Sequence, residues 1–458
     1  MSIIASFMVP HPPLILPEVG RGGEKQIETT KEAYEEIAKN IADLNPETII
    51  ISSPHAPYYS DYFYVSTGHI GKGSFSNFGA SEVSFEEEYD EELINEIINL
   101  SEENNFPAGG INKETPLDHG TMVPLYFIRK QLPKTKIVVV GLSSLPLADN
   151  YELGKIIQTA VNKLNRKVVF VASGDLSHKL QTYGPYGYAP EGPEYDEKII
   201  KTMSNANFNE LLEYDEVFLD KAAECGHRSF TIMAGALDGI AVKTEFLIHE
   251  DVTGVGYGIC KFYPEGENKE RCFLDKYLKE QEEIIKNQNT DAYVNLAKLT
   301  IEKYIKENII IDIPDNLPKE LLDNKAGVFV SIHKLGTLRG CIGTIMPTTK
   351  CIANEIISNA ISASTHDTRF NPITEDELKY LDINVDVLKE PEDITSEDEL
   401  DVKKYGVIVS TEYKRGLLLP NLDGIDSVKQ QIAIAKRKGN ITEDEEIKLQ
   451  RFEVIRHK

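Results

Sequence analysis

Residues 167–178, KVVFVASGDLSH, carry the strongest indication of the fold of this chain. They begin as a continuous run of β-branched and apolar residues, which is typical of a strand covered on both faces of a parallel sheet. The run ends at Gly174, a residue that lets the chain change direction, and Asp175 and His178 follow closely. The stretch therefore predicts a buried strand with polar side chains just beyond its carboxyl end.

Two further runs of the same kind, ETIIISS at 47–53 and TKIVVVGLS at 135–143, are separated by segments with helical periodicity. Such alternation of buried strands and helices predicts an α/β domain with a mainly parallel sheet. Residues 244–264 have the pattern of two closing strands joined by a turn. We place the end of this first domain at residue 265.

The composition changes after residue 265. Residues 265–291 contain few strand-like runs and many charges, and we interpret 266–284 as a charged linker with an exposed helix. Beyond this stretch, helical segments alternate with strand-like segments such as AGVFVSIHK and LRGCIGTIM, which surround a glycine turn. This mixed order predicts a second domain of the α+β class over residues 285–458.

The composition also limits the class of partner. The chain has 458 residues and a net charge of −25, which disfavours contact with phosphate backbones, so we expect no nucleic-acid partner. Its five cysteines form no CxxC pair, which fits reduced thiols in the cytoplasm. The N-terminus lacks the pattern of a signal peptide, and no run of about 18 apolar residues predicts a membrane span.

Four histidines of the first domain lie in settings that suggest a shared site. His11, His55 and His178 each follow an apolar run, and His119 lies in the segment LDHGTMVPL. Ligands of an open parallel sheet bind beyond the carboxyl ends of its strands, so these histidines are expected to converge in one crevice. Asp175 either orients a neighbouring group there or caps the next segment. A single histidine after a strand is usually a turn or capping residue, but four such placements favour a functional site.

A metal ion explains this set of residues best, because neutral imidazoles are common ligands of iron, zinc and copper. Two histidines and one carboxylate can hold Fe(II) and leave positions open for a chelating substrate and O₂. Glu224, in AAECGHRSF, is the candidate carboxylate, although a glutamate at a helix N-terminus is also favoured by the helix dipole. A further histidine that binds no metal would be free to move protons near neutral pH.

The motifs MVPHPPLI, SSPHAPYY, LDHGTMVPL, SGDLSHKL and ECGHRSF, in this order, resemble the class III extradiol ring-opening dioxygenases of the LigB type and the related Memo proteins. The resemblance implies that His11 and His55 bind Fe(II), with Glu224 as the third ligand. It implies that His178 is the catalytic acid–base residue and that His119 lies over the substrate or O₂. It also implies a catechol-like or other small chelating substrate.

The third ligand departs from a single family pattern. Memo-like proteins carry a cysteine in a CG context at this point, and here Glu224 and Cys225 are adjacent. A carboxylate suits Fe(II), and we expect Glu224 rather than Cys225 to be the ligand. A thiolate would make the site softer and would favour copper or zinc.

The second domain resembles the AMMECR family through SIHKLGTLRGCIGTI, HDTRFNPITEDEL and YGVIVSTEYKRGLLLPNLDGID. A LigB-like domain followed by an AMMECR domain is the layout of the AmmeMemoRadiSam system protein A family. That layout implies Memo-type and radical S-adenosylmethionine proteins as partners.

The segment LRGCIGT of the second domain predicts a strand, a turn and a strand with Arg339 and Cys341 near the tip. A catalytic thiolate needs a lowered pKa, which Arg339 or Arg369 would provide as a neighbouring cation. Alternatively, Cys341 is a small buried apolar residue and the glycines serve a tight turn.

Three functions remain open on the sequence. The four histidines favour a non-haem, metal-dependent extradiol dioxygenase acting on a small-molecule substrate. The ambiguous third ligand and the AMMECR domain favour a non-catalytic, metal-retaining scaffold within a multi-protein system. A zinc-type hydrolase would use the same ligands to activate water.

Overall fold

The computed structural model describes residues 2–111, 115–422 and 424–458, and the chain divides into two compact units, Met1–Glu280 and Gln281–Lys458. No helix among the described residues combines the length and the apolar character that crossing a bilayer would require. Each unit has its own sheet and its own apolar interior.

The first unit is built on a six-stranded sheet with helices around it. Two small two-stranded sheets, β3-β6 and β4-β5, accompany it. The strands of the unit are β1 Ile3–Val9, β2 Thr48–Ser53, β3 Phe63–Tyr64, β4 Ile70–Phe75, β5 Ala80–Glu88, β6 Ala108–Gly109, β7 Lys136–Gly141, β8 Val168–Ser173, β9 Ile240–Glu250 and β10 Tyr257–Glu267. Its helices are α1 Pro17–Gly20, α2 Glu28–Leu44, α3 Glu91–Glu103, α4 His119–Gln131, α5 Leu147–Lys163, α6 Glu191–Ser204, α7 Glu216–Ala222, α8 His227–Ala236 and α9 Phe273–Asn287, whose last residues belong to the second unit.

The sheet has the strand order β7-β2-β8-β1-β10-β9. The first four strands of this order are mutually parallel, while β10 and β9 are antiparallel closing strands. Every residue of β2 and β8 is buried, as expected for β-branched runs covered on both faces. The predicted α/β class with a mainly parallel sheet is confirmed.

The parallel strands end at one level, and this positions the site. Val9 of β1 lies opposite Ser173 of β8, and Ser52 of β2 lies opposite Ala172 of β8. The chain segments that follow β1, β2 and β8 therefore leave the sheet side by side. These segments carry His11, His55 and Asp175.

Gly174 has a packing role at this edge of the sheet. A Cβ atom at Gly174 would lie 2.2 Å from the Cα atom of Gly226, so only a glycine lets the two backbones approach this closely. Gly174 does not have a positive φ angle, so the close approach, and not a left-handed turn, accounts for the glycine. The contact brings the segment before α8 against the end of β8.

The second unit has a seven-stranded antiparallel sheet of order β12-β11-β13-β17-β15-β16, with β14 paired to β17. The strands are β11 Gly327–Lys334, β12 Thr337–Gly343, β13 Leu381–Leu388, β14 Glu392–Ile394, β15 Tyr405–Ser410, β16 Arg415–Leu418 and β17 Lys448–His457. The helices are α10 Ala292–Glu307, α11 Lys319–Asp323, α12 Ile352–Thr365 and α13 Val428–Lys438. Among the described residues of this unit, an apolar cluster packs α10 and α12 against β11 and β13, which confirms the α+β class.

Candidate metal centre

Two histidine rings from neighbouring strand ends meet at the edge of the first sheet. The Nε2 atoms of His11 and His55 are 3.0 Å apart, with ring centroids 4.8 Å apart. The Sγ atom of Cys225, from the segment before α8, lies 3.6 Å from His11 Nε2. These three donor atoms all lie within 4.8 Å of one another, a spacing that a single metal ion can bridge.

The hydrogen bonds of Ser173 fix the tautomer of His11. The Ser173 hydroxyl donates to the carbonyl oxygen of Gly120 at 2.6 Å, so its oxygen accepts from His11 Nδ1–H at 3.0 Å. His11 Nε2 then carries a lone pair, which points toward His55. An orienting hydrogen bond on the second ring nitrogen is characteristic of metal-binding histidines.

Asp175 ties the end of β8 to both neighbouring segments. One carboxylate oxygen, Oδ1, accepts the backbone N–H of His11 at 2.7 Å. The backbone N–H of Asp175 donates to Cys225 Sγ at 3.3 Å. Asp175 therefore fixes the His11 backbone and the Cys225 thiol in position relative to each other.

His178 lies on the far side of the Asp175 carboxylate. Its Nδ1–H donates to the carbonyl oxygen of Ala223, and its Nε2 lies 3.9 Å from Asp175 Oδ2. Burial disfavours the imidazolium, but the facing carboxylate outweighs this effect and raises the pKa of His178. Asp175, His178 and Cys225 form a second group of donor atoms within 4.8 Å of one another.

His119 begins α4 and packs beside the group of His11, His55 and Cys225, called the first cluster below. Its ring centroid lies 4.0 Å from that of His55 and 5.2 Å from that of Phe78. Asp118 caps the helix by accepting the backbone N–H of Thr121. His119 belongs to neither group of metal donors found among the described residues, which fits a role beside a ligand and not on the metal.

The two histidines of the first cluster and the neighbouring His119 favour the neutral form. Desolvation, together with His11 and His119, lowers the pKa of His55 to about 3. Desolvation also lowers the pKa of His11, and it lowers that of His119 to about 4. Neutral imidazoles are the form that binds metal ions.

The structure places Glu224, the expected third ligand, at the start of α8. The Glu224 carboxylate accepts the backbone N–H of His227 at 2.6 Å, at the start of α8, which is the helix-terminal role that the sequence also allowed. Burial raises the pKa of Glu224 to about 7. Glu224 is in neither group of donor atoms, whereas the adjacent Cys225 is in both.

The donor set of His11, His55 and Cys225 fits a softer transition-metal ion than the Fe(II) expected from the sequence. Two imidazole nitrogens and a sulfur suit copper or zinc, while a carboxylate would suit Fe(II) better. Burial raises the pKa of the Cys225 thiol well above its usual value, so a bound cation is needed to stabilise the thiolate. His11, His55 and Cys225 are the residues that would hold the ion.

A cleft of about 1150 Å³ opens beside the first cluster. His55 and His119 form part of its wall, and the β4–β5 hairpin contributes Lys72 and Phe85. Phe78, which contacts His119, adds an exposed aromatic surface. The cleft therefore offers both apolar and polar contacts next to the candidate ligands.

The candidates of the second unit are placed differently. The Arg339 guanidinium forms two hydrogen bonds of 2.9 Å to Glu377, while Arg369 binds Asp367 and the carbonyl oxygen of Cys341. The structure thus brings Arg369 to Cys341, but both arginines already have carboxylate partners. These contacts fit a structural role as well as they fit activation of the thiol.

Sequence reasoning missed two contributors to the site, Ser173 and Phe78. Ser173 ends an otherwise apolar run, and a hydroxyl in that position is a signal that was available in the sequence. Phe78 lies in a short helical turn between β4 and β5, and no pattern in the sequence links it to His119. Its role depends on the folded hairpin.

Comparisons with known proteins agree with the two units. Residues 5–260 match the family described as the catalytic LigB subunit of aromatic ring-opening dioxygenase, and residues 294–457 match the AMMECR1 family. A protein of Clostridium acetobutylicum is 42% identical over 467 residues, which cover 100% of both chains. A Thermotoga maritima protein is 46% identical over 168 residues, 36% of this chain and 97% of that protein.

Two solved structures also show similarity. A Pyrococcus horikoshii protein matches with a TM-score of 0.34 and 30% identity, over 39% of this chain and 90% of that one. An Escherichia coli protein matches with a TM-score of 0.38 and 15% identity, over 56% of this chain and 99% of that one. On the family matches, the chain belongs to the LigB family of aromatic ring-opening dioxygenase subunits and carries an AMMECR1 domain after its LigB domain.

Proposed function

We propose that the first unit is a metal-dependent oxidoreductase acting on a small chelating substrate, with His11, His55 and Cys225 as ligands of one transition-metal ion. The observation that carries this proposal is the convergence of three donor atoms from three separate chain segments. The family match adds support, because LigB subunits are described as catalytic. The adjacent cleft offers room for a substrate.

The proposed ion is copper, ahead of the Fe(II) expected from the sequence. A thiolate with two imidazoles is a donor set that copper and zinc prefer, and copper also supports redox chemistry. When bound, such an ion would polarise a coordinated hydroxyl group and exchange electrons. The remaining steps depend on side chains of this chain.

His178 is the proposed proton-transfer residue. Its Nδ1–H is occupied by the Ala223 carbonyl, so Nε2 is the atom that accepts a proton from a substrate hydroxyl. Asp175, with Oδ2 at 3.9 Å, stabilises the imidazolium that results. General acid–base catalysis of this kind contributes about 10²–10⁴-fold in rate.

His119 and Phe78 have a positioning role in this proposal. Their rings contact each other, and both line the cleft beside His55. A planar substrate that coordinates the metal would pack against them. This contact would orient the reacting hydroxyl group without a further charged residue.

Anaerobic purification, metal analysis and oxygen uptake with a panel of catechols test the proposal. We expect bound copper and substrate-dependent oxygen consumption. His178→Gln is expected to keep the metal of the first cluster and lose about 10²–10⁴-fold in turnover. The matched control is His69→Gln, which changes a histidine whose side chain is 83% exposed.

Three outcomes would contradict the proposal. Bound zinc with ester hydrolysis and no oxygen uptake would indicate a hydrolase. Bound metal with neither activity would indicate a scaffold. Normal turnover by His178→Gln would remove this histidine from the proton-transfer step.

A further inference from the structure

We propose that a cavity in the second unit is a binding site for a small carboxylate with an apolar chain or ring, and that Lys298 binds the carboxylate group. The cavity has a volume of about 960 Å³ and runs along one face of α10. All of its lining residues belong to the second unit. The inference is therefore independent of the proposed metal centre.

The walls of the cavity carry both apolar and charged side chains. They come from the end of α9 and the residues after it, from α10, from the single turn Glu375–Tyr380 and from β13. Ile285 and Leu378 are half-buried there and offer apolar surface to a ligand. The charged residues of the lining are Lys286, Lys298, Lys306, Lys379, Glu302, Glu375 and Asp376.

Lys298 is half-buried in this cavity without an acidic partner. Its Nζ donates to the neutral amide oxygen of Gln288 at 3.3 Å, and no ion pair of Lys298 occurs among the described residues. Asp382 holds the Gln288 amide in this orientation by accepting from its Nε2 at 3.2 Å. Because an ammonium group has three N–H donors, two of those on Lys298 are left for a ligand.

Other lysines of the second unit with little exposed surface do have an acidic partner. Lys436 Nζ lies 3.1 Å from the Glu443 carboxylate, and Lys334 Nζ lies 3.6 Å from that of Glu377. At Lys298, burial outweighs the attraction of the more distant Asp382 and lowers the pKa of the side chain. A bound anion that reached Nζ would offset this cost of burial.

The balance of charge in the lining selects the kind of anion. Four lysines and three carboxylates give the lining a net charge of +1, whereas the whole chain carries −25. Towards the end of α10, Lys306 pairs with Glu302 and is attracted by Glu375, so its charge is already balanced. This arrangement suits a monoanion such as a carboxylate better than a phosphate dianion, which the acidic residues would repel.

Calorimetric titration of the full chain with hexanoate tests the site. We expect saturable binding of one equivalent, and no comparable binding of hexanamide, which has the same chain length and no charge. Lys298→Met should weaken hexanoate binding about 10–100-fold, the loss expected for a hydrogen bond between charged groups. Lys303→Met is the matched control, because Lys303 also lies on α10 but pairs with Glu307 outside the lining; it should bind hexanoate as the wild type does.

Gln288→Glu tests the same site while keeping the ammonium group. The new carboxylate would replace the amide that now contacts Lys298 Nζ. An internal ion pair should then satisfy the lysine and weaken hexanoate binding by at least about tenfold. Thermal melts of both variants establish that they are folded, and Gln288→Glu decides the question if Lys298→Met does not fold.

Several results would overturn the site. These are no saturable binding of hexanoate to the wild type, equal binding of hexanamide, or an unchanged affinity for hexanoate in the folded Lys298 or Gln288 variant. An equal loss in Lys303→Met would indicate general electrostatic attraction and would overturn it as well. Tighter binding of inorganic phosphate than of hexanoate would overturn the assignment to an apolar carboxylate.

Discussion

The histidine cluster of the first unit and the Arg339–Cys341–Arg369 group of the second differ in how their polar atoms are satisfied. In the second unit each guanidinium has a carboxylate partner, Glu377 for Arg339 and Asp367 for Arg369. In the first unit the Nε2 atoms of His11 and His55 face each other at 3.0 Å with no carboxylate between them.

This difference separates a candidate ligand site from a structural network. Charged groups that already have partners stabilise the fold, and they have little capacity left for a ligand. Because His11 is protonated on Nδ1, His55 Nε2–H is the donor in this contact, and a metal ion can replace that single proton between the two rings. The comparison therefore predicts metal binding in the first unit and a stability role for the arginines of the second.

The largest expected effect is on metal binding by His11→Ala or His55→Ala. Binding free energies of about 10–16 kcal/mol are shared among three or four ligands, so loss of one should weaken binding by about 10²–10⁴-fold. Metal analysis after dialysis measures this. Full retention by both variants would show that the ion, if present, lies elsewhere.

The next effect is on the stability of the second unit. Arg339→Ala would leave the carboxylate of Glu377, whose side chain is 10% exposed, without its main partner. We expect a loss of about 3 kcal/mol in the free energy of unfolding, measured by urea denaturation, with metal content unchanged.

Lys303→Ala is the control for the Arg339 variant. It breaks an exposed pair on α10, with Glu307, and should cost less than about 0.5 kcal/mol. An equally small effect of Arg339→Ala would contradict a structural role for Arg339. It would then leave this arginine available for a function at Cys341.

A smaller effect is expected on the pH dependence of stability. A hydrogen bond from the Arg369 guanidinium holds the pKa of Asp367 at about 2, against an ordinary value of 3.8. The stabilisation is therefore complete above about pH 4 and is lost as pH falls toward 2. Because Arg369 is half-exposed, we expect only about 1–2 kcal/mol.

The measurement for this prediction is the free energy of unfolding of wild type and Asp367→Asn between pH 2 and 7. The difference between the two proteins should shrink as the pH falls below about 4. A difference that stays constant with pH would mean that the Asp367–Arg369 pair contributes no charge-dependent stability.

Much of the first unit was predictable because its signals are local. Runs such as VVFVAS predicted buried parallel strands, and the shared level of their carboxyl ends predicted that His11 and His55 would meet. These inferences need only the period of the sequence and the geometry of a parallel sheet.

The different positions of Glu224 and Cys225 were not predictable, because they depend on tertiary contacts. The close approach of Gly174 and Gly226 turns Cys225 toward His11, and the first turn of α8 binds the Glu224 carboxylate. Neither contact is encoded by spacing along the chain. The partners of Arg339 were hidden for the same reason, since Glu377 is 38 residues away.

The metal content of Cys225→Ala and Glu224→Ala, purified side by side, tests the central claim most directly. We expect Cys225→Ala to lose most of its metal. Glu224→Ala should retain it and lose only about 1 kcal/mol of stability, because a contact at the start of α8 is removed. Retention of metal by Cys225→Ala, with loss by Glu224→Ala, would contradict the account and return the centre to two histidines and a carboxylate.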